Sequence, residues 1–281
     1  MTPRIAPPLI AGVLSALAAP AHAEWTALNM TPGVTPLSQQ IFDLHMTIFW
    51  VCVWIGLAVF GVMIYSIIRF RKSAGAVADT NLTHNTGIEV AWTLIPVGIL
   101  IAMAVPAARV LLEIEDMRHT ELTIKVTGYQ WKWEYQYLDS NVSFFSTLDR
   151  ASDAARQLGS GLDPWKVPHY LQNVDNYLVV PEDTKVRLLL TAQDVIHAWW
   201  VPAFGMKRDA IPGSVNELWF KVDAGKTGLY RGQCAELCGR DHGFMPIVVE
   251  VKTKADYAAW IKAKEAEIKE AAVTPAVHTA G

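Results

Sequence analysis

Two stretches of this chain carry no charged residue over a length that matches the interior of a membrane. Met46 to Ile68 is the first and Val90 to Ala108 the second. At a rise of about 1.5 Å per residue each covers roughly 30 Å, the thickness of the hydrocarbon core. Soluble folds rarely contain such runs, so both are predicted to span a bilayer. Trp50 and Trp54 stand near the outer end of the first, where amphipathic rings favour the interface. The second lies between Glu89 and Arg109 and contains Pro96 and Pro106. Prolines remove backbone hydrogen bonds that lipid cannot replace, so this span is expected to pack against other membrane helices. Between the spans lies Arg69-Phe70-Arg71-Lys72. A basic cluster beside a span marks the cytoplasmic side, which sends everything after about Arg109 to the opposite side.

The composition agrees. Apolar residues make up 52% and charged residues only 18%, against roughly 25% charged in soluble domains. A net charge of -3 argues against a basic nucleic-acid binder. The N-terminus reads as an export signal: Arg4, an apolar run from Leu9 to Ala19, then Ala21-His22-Ala23 as a small-x-small cleavage site. The expected divisions are therefore a signal peptide over 1–23, an N-terminal segment with two spans over 24–112, an exported domain over 113–253, and a C-terminal helix and tail over 254–281.

The exported part changes character from about Glu121. Short β-prone runs appear at Leu122 to Thr127, Trp131 to Tyr137, Tyr177 to Val180, Lys185 to Thr191, Glu217 to Val222, Gly228 to Gly232 and Pro246 to Val251. Turn signals separate them, which predicts an antiparallel sandwich or barrel. Trp131, Trp133, Tyr135 and Tyr137 alternate with polar residues, as one face of a strand would. The stretch near 148–175 shows no period and reads as a long surface insertion. Lys254 to Ala271 reads as a closing helix, and the last ten residues as a disordered tail.

The strongest chemical signal is Gly232-Gln233-Cys234-Ala235-Glu236-Leu237-Cys238-Gly239-Arg240-Asp241-His242-Gly243-Phe244-Met245-Pro246. Two thiols, an imidazole and a thioether fall within one loop. Soft thiolate and thioether ligands select copper, and imidazole accepts it readily. His197, in Asp194-Val195-Ile196-His197-Ala198-Trp199, offers a second imidazole. Taken alone, Cys234 and Cys238 fit a disulfide in an oxidising compartment as well as they fit a metal, and Cys with His also fits structural zinc. Neither alternative needs Met245 or Glu236. One Cys, two His and a weak Met make a blue-copper set; a second Cys added to it points to two metals bridged by two thiolates.

This loop resembles the copper-loop motif of cytochrome c oxidase subunit II. The resemblance runs from about the first span to about Trp260 and includes Val201-Pro202-Ala203-Phe204-Gly205, Asp209-Ala210-Ile211-Pro212-Gly213 and Gly128-Tyr129-Gln130-Trp131-Lys132-Trp133. It implies a two-helix transmembrane hairpin followed by an all-β, cupredoxin-like Greek-key barrel and a short C-terminal helix. It implies a binuclear copper centre, two coppers per chain, with Cys234 and Cys238 bridging and His197 and His242 terminal. Met245 and the backbone carbonyl of Glu236 would be weak ligands, one to each copper. The Glu236 side chain would help bind a magnesium ion shared with subunit I. Trp131 would be the point at which electrons enter from cytochrome c. By residue type alone Trp131 reads as an ordinary half-buried strand aromatic. Glu89 matches the carboxylate at the mouth of one proton pathway, and equally reads as a polar helix cap. Glu134, Asp139 and Asp194 are candidate docking carboxylates.

The implied function is subunit II of a proton-pumping respiratory oxidase in a bacterial inner membrane, its copper domain in the periplasm. Implied partners are cytochrome c, a haem-bearing subunit I and a subunit III. No Cys-x-x-Cys-His is present, so no covalent haem is expected in this chain. Lys132 stands where the family commonly has an aromatic residue, and the domain is only mildly acidic. Cys52, in the first span, reads as a small packing residue. A quinol oxidase subunit would lack the five copper-binding side chains. A copper-delivery protein with no part in turnover is the alternative of a different class. Nitrous-oxide reductase shares the copper domain but adds a propeller for which this chain has no sequence.

Overall fold

A computed structural model describes residues 29–77 and 83–273. The expected signal peptide and the far C-terminal tail lie outside the described residues. The chain divides into two units, 1–31 and 32–281, and the account below concerns the second.

The first helix, α1 (Pro36–Arg69), begins ten residues before the uncharged run. Its start is fixed by Thr35, whose hydroxyl accepts from Ser38 N while the Ser38 hydroxyl reaches back to the Thr35 backbone, with Pro36 at the first helical position. The second helix, α2 (Thr86–Ile114), is capped by Asn85, which accepts from Ile88 N, and it continues through both prolines. These helices are about 51 Å and 43 Å long, longer than the hydrocarbon core, so each has turns left over for the water side. Their central faces are apolar and exposed in the single chain, Trp54, Val62 and Ile101 among them.

The leftover turns are built into the β domain. Leu37, fully buried, packs with Met206 and Trp219 and with Ile41, Val110 and Ile114. Thr35 Oγ1 donates to Phe204 O (3.2 Å), Val34 N to Ala203 O (2.9 Å) and Trp219 Nε1 to Glu113 O (3.2 Å). Gly205, at φ +77°, lies so close to this seam that a Cβ there would stand 2.9 Å from Ser38 Cα.

Among the described residues, ten strands form two five-stranded sheets. They are β1 (Leu122–Tyr129), β2 (Lys132–Tyr137), β3 (Ser143–Ser146), β4 (Leu178–Pro181), β5 (Val186–Ala192), β6 (His197–Val201), β7 (Met206–Ala210), β8 (Asn216–Phe220), β9 (Gly228–Cys234) and β10 (Pro246–Lys252). One sheet has the order β3-β2-β1-β5-β8 and the other β4-β10-β9-β6-β7. Most pairs are antiparallel, but β1 runs parallel to β5 and β4 to β10. Both sheets contribute to one core containing Ile124, Val126, Trp133, Tyr135, Leu188, Trp199, Phe220 and Val249. Tyr137 ties the sheets together: its hydroxyl donates to Val179 O (2.7 Å) and accepts from Val179 N (3.0 Å).

The seven expected strands are present, and β3, β6 and β7 are additional. The sequence run from Trp131 needs one correction. Tyr129 pairs with Lys132, so Gln130 and Trp131 form a two-residue hairpin turn and the strand begins after them. Trp133, Tyr135 and Tyr137 do share the buried face; Trp131 does not belong to it. The stretch near 148–175 is also less irregular than its sequence. It holds α3 (Arg150–Ala155), capped by Asp149, and a bridge between Leu148 and Val174 closes it at the base. A closing helix, α4 (Lys254–Val273), packs Tyr257 and Trp260 against the domain, Trp260 lying 5.5 Å from the Tyr137 ring.

Candidate metal centre

The loop between β9 and β10 carries four of the expected ligand side chains, and the sheet brings the fifth. Pairing of Trp199 with Cys234 sets β6 beside β9, so His197, two residues before Trp199, stands next to the mouth of the loop. The loop is closed by Cys234 N on Met245 O (3.3 Å) and by Ala235 N on Ala198 O (3.0 Å).

The donors converge. Cys234 Sγ and Cys238 Sγ are 3.8 Å apart and both residues are buried. His197 Nδ1 lies 3.9 Å from Cys234 Sγ, and the Glu236 carbonyl oxygen 3.4 Å from it. His242 Nδ1 and Met245 Sδ each lie 3.5 Å from Cys238 Sγ. Metal-ligating atoms of His197, Cys234 and Cys238 all fall within 4.8 Å of one another. Cys234 and Cys238 are free, their sulfurs standing apart rather than bonded to each other. Two sulfurs 3.8 Å apart are near enough for both to bond one metal at about 2.3 Å. The set is soft, with sulfur outnumbering nitrogen, and it fits copper better than a hard cation.

The electrostatics favour a cation. Burial pushes the Cys234 thiol up, but hydrogen bonds with His197 and the Glu236 backbone outweigh it and bring it down to about 7. Burial and the neighbouring Cys234 push Cys238 up to about 12. One proton leaves the pair readily, and the second leaves only when another positive charge replaces it.

Residues around the donors hold them in place. Asp194 Oδ1 lies 3.0 Å from His197 Nε2, and the Asp194 carboxylate also accepts from Val195 N and Gln130 N at 2.7 Å each. Burial pushes the His197 imidazole down, but Cys234 and Asp194 outweigh it and the net shift is upward. The His197 ring fills a slot. Trp133 meets it edge to face at 5.8 Å, and a Cβ on Gly128 would stand 2.7 Å from His197 Cδ2. Trp131 Nε1 donates to Cys238 O (3.1 Å), and Gln130 Nε2 donates to the same oxygen (2.9 Å). The hairpin turn thus connects a half-exposed indole directly to the backbone of Cys238, one of the two thiols.

Other sequence candidates fall elsewhere. Glu134 sits on β2 and accepts from Tyr129 OH (3.0 Å). Asp139 follows the far end of β2, roughly 25 Å along the strand direction from Trp131. It therefore cannot share a small patch with that indole. Glu236 has its side chain exposed, and only its carbonyl faces the thiols. Glu89 Oε1 accepts from Asn85 N (3.2 Å), a capping contact at the start of α2. Gly128, Gln130 and the capping role of Asp194 were not read from the sequence as site features, although all lie inside the quoted motifs.

Two family models match the chain: cytochrome c oxidase subunit II, periplasmic domain, over residues 122–252, and cytochrome c oxidase subunit II, transmembrane domain, over residues 23–110. The chain belongs to the cytochrome c oxidase subunit II family. Among relatives, the probable cytochrome c oxidase subunit 2 of Rickettsia prowazekii is 42% identical over 238 residues, covering 84% of this chain and 72% of that protein. Cytochrome c oxidase subunit 2 of Cereibacter sphaeroides is 34% identical over 269 residues, covering 90% and 88%. The solved periplasmic domain of cytochrome oxidase subunit II of Bradyrhizobium japonicum is 41% identical and covers 54% of this chain and 99% of its own, with a TM-score of 0.46. Membership in the subunit II family makes this chain a membrane-anchored component of a cytochrome c oxidase, an oxidoreductase, and implies a copper site in its β domain.

Proposed function

We propose that this chain accepts electrons from cytochrome c in the periplasm of a bacterium and passes them to a haem-bearing subunit I, where oxygen is reduced and protons are pumped. A subunit III completes the expected set of partners. The observation that carries this reading is the convergence of two thiols 3.8 Å apart with two imidazoles, a thioether and a carbonyl within 3.4–3.9 Å of one or other sulfur. Cys234 and Cys238 would bridge two coppers. His197 and His242 would end the pair, with Met245 and the Glu236 carbonyl as weak ligands. Copper bound there would supply one-electron transfer.

The chain's own residues do the rest. The β4-β10-β9-β6-β7 sheet holds the ligands in register, and the Asp194 carboxylate fixes the tautomer and angle of His197. Trp131 would receive the electron at the surface and deliver it through its bond to Cys238 O. The exposed Glu236 carboxylate would take part in a magnesium site shared with subunit I. Glu89, at the cytoplasmic end of α2, would open a proton pathway with the oxygen not used in capping. Glu134 and Asp194 lie at the Trp131 end of the domain and are the docking carboxylates this reading keeps.

The alternative, a copper-delivery protein, is disfavoured by the buried seam that fixes the domain onto both spans. Copper analysis of the purified chain tests the reading. Two coppers per chain and a purple thiolate–copper spectrum are expected. One zinc per chain, or a Cys234–Cys238 disulfide in fresh membranes, refutes it.

A further inference from the structure

We infer that Arg156, on the insertion, is a positioning residue for the metal loop: it clamps the turn that carries His242. The inference rests on the copper reading and goes beyond its ligand set. His197 and His242 are held differently. Asp194 grips the far nitrogen of His197. Among the described residues, no side chain holds the far nitrogen of His242, so its aim depends on the backbone turn it sits in. That turn is a single 3-10 turn, His242–Phe244, closed by Phe244 N on Asp241 O (2.9 Å).

Arg156 holds both ends of this turn. Its Nη1 lies 3.6 Å from Asp241 Oδ1, and its Cζ lies 4.4 Å from the centre of the Phe244 ring. Nε is anchored on Asp153 Oδ1 at 2.8 Å. Arg156 and Asp241 are only 22% and 14% exposed at their side chains, so water competes little for the contact. A planar guanidinium can lie over a ring while its edge meets carboxylates, which an ammonium cannot do in one pose.

The base of the clamp is firm. Asp149 caps α3 through Ala151 N and Ser152 N, each at 3.1 Å. Ser152 is buried and its hydroxyl accepts from Leu171 N (3.1 Å). Thr147 donates twice to Asp175, at 2.7 and 2.9 Å. The metal loop is thus held at two places from outside: Gln130 and Trp131 on Cys238, and Arg156 on the His242 turn. The insertion supplies the second.

The test uses the full chain in detergent, loaded with copper, as wild type, Arg156→Gln and Arg156→Lys. Three quantities are read: the visible and electron-paramagnetic-resonance signature of the copper centre, the rate of copper loss to a chelator, and the melting temperature of the metal-free chain. Arg156→Gln is expected to shift the signature and to speed copper loss by about tenfold, the size of one part-buried ion pair plus one cation–π contact. Arg156→Lys should fall between. A wild-type signature and loss rate in Arg156→Gln overturns the inference. So does faster loss with an unchanged signature and a lowered melting temperature, which marks general destabilisation. Should Arg156→Gln fail to fold, Phe244→Leu, which keeps apolar bulk without a ring face, must itself show a signature shifted from wild type or the inference falls. A wild-type chain that takes up no copper overturns the copper reading and this inference with it.

Discussion

Gly128 and His197 show how much a single missing atom can decide. Gly128 lies in a strand, where alanine suits the backbone, so Gly128→Ala changes little except the space against the imidazole. The 2.7 Å approach to His197 Cδ2 forces the ring to move. We expect a cost of about 1–3 kcal/mol from overpacking and a shifted copper spectrum, read by thermal unfolding and absorption on the same sample. Trp131→Phe is expected to act on rate instead. It keeps most of the apolar area but loses the N–H that donates to Cys238 O. Copper content should stay at the wild-type value while stopped-flow reduction by cytochrome c slows. Transfer at the wild-type rate would make Trp131 an ordinary turn aromatic. Trp133 is not a neutral control for that experiment, because it is fully buried against the His197 ring. The convergence of the candidate ligands was legible in the sequence because four of the five side chains crowd into one loop whose chemistry is explicit. The role of Asp194 was not, because its carboxylate acts through a turn whose direction three residues of sequence do not reveal. Trp131 was misplaced on a strand because the alternating pattern runs straight through a two-residue turn.

Among elements, the closing helix and the insertion contrast. α4 was readable from its Ala, Lys and Glu content with Trp260 and Ile261. It docks by Trp260 against Tyr137 and Phe144, with the Tyr257 ring against Trp260. Burial, and then the nearby Asp139, push the Tyr257 phenol up to about 12. Below pH 10, near the ordinary tyrosine value, the group is neutral in both folded and unfolded chains and contributes no pH dependence. Above it the unfolded chain ionises first, so stability is lost progressively from about pH 10 to 12. We expect thermal unfolding to show this loss over that range, and Tyr257→Phe to reduce it in part, because burial also pushes up the Tyr135 and Tyr137 phenols. A variant that loses stability as wild type does would remove Tyr257 from the explanation. The insertion was unreadable for a physical reason. Its order comes from single hydrogen bonds and one arginine clamp between distant segments, and such contacts leave no period in the chain. Strands β3, β6 and β7 escaped in part for the same reason, being short and defined by their neighbours.

At the scale of the whole molecule, the two spans and the β domain were visible in the sequence, and the seam between them was not. Leu37, Met206 and Trp219 come from three separate parts of the chain. Orientation is open to direct measurement. A cytoplasm-active reporter fused after Lys72 should work, and a periplasm-active one should work after Lys252; the reverse pattern refutes the orientation. The seam has a further consequence. With no slack between helix and domain, each span acts as the shaft of a screw. One residue added within α2 alone, between Gly98 and Ala108, would shift Val110 and Ile114 by about 1.5 Å and turn them by roughly 100°, out of register with Leu37 and Ile41 of α1 in the seam. The seat of the domain on its anchors is therefore set by the residue counts of both spans together.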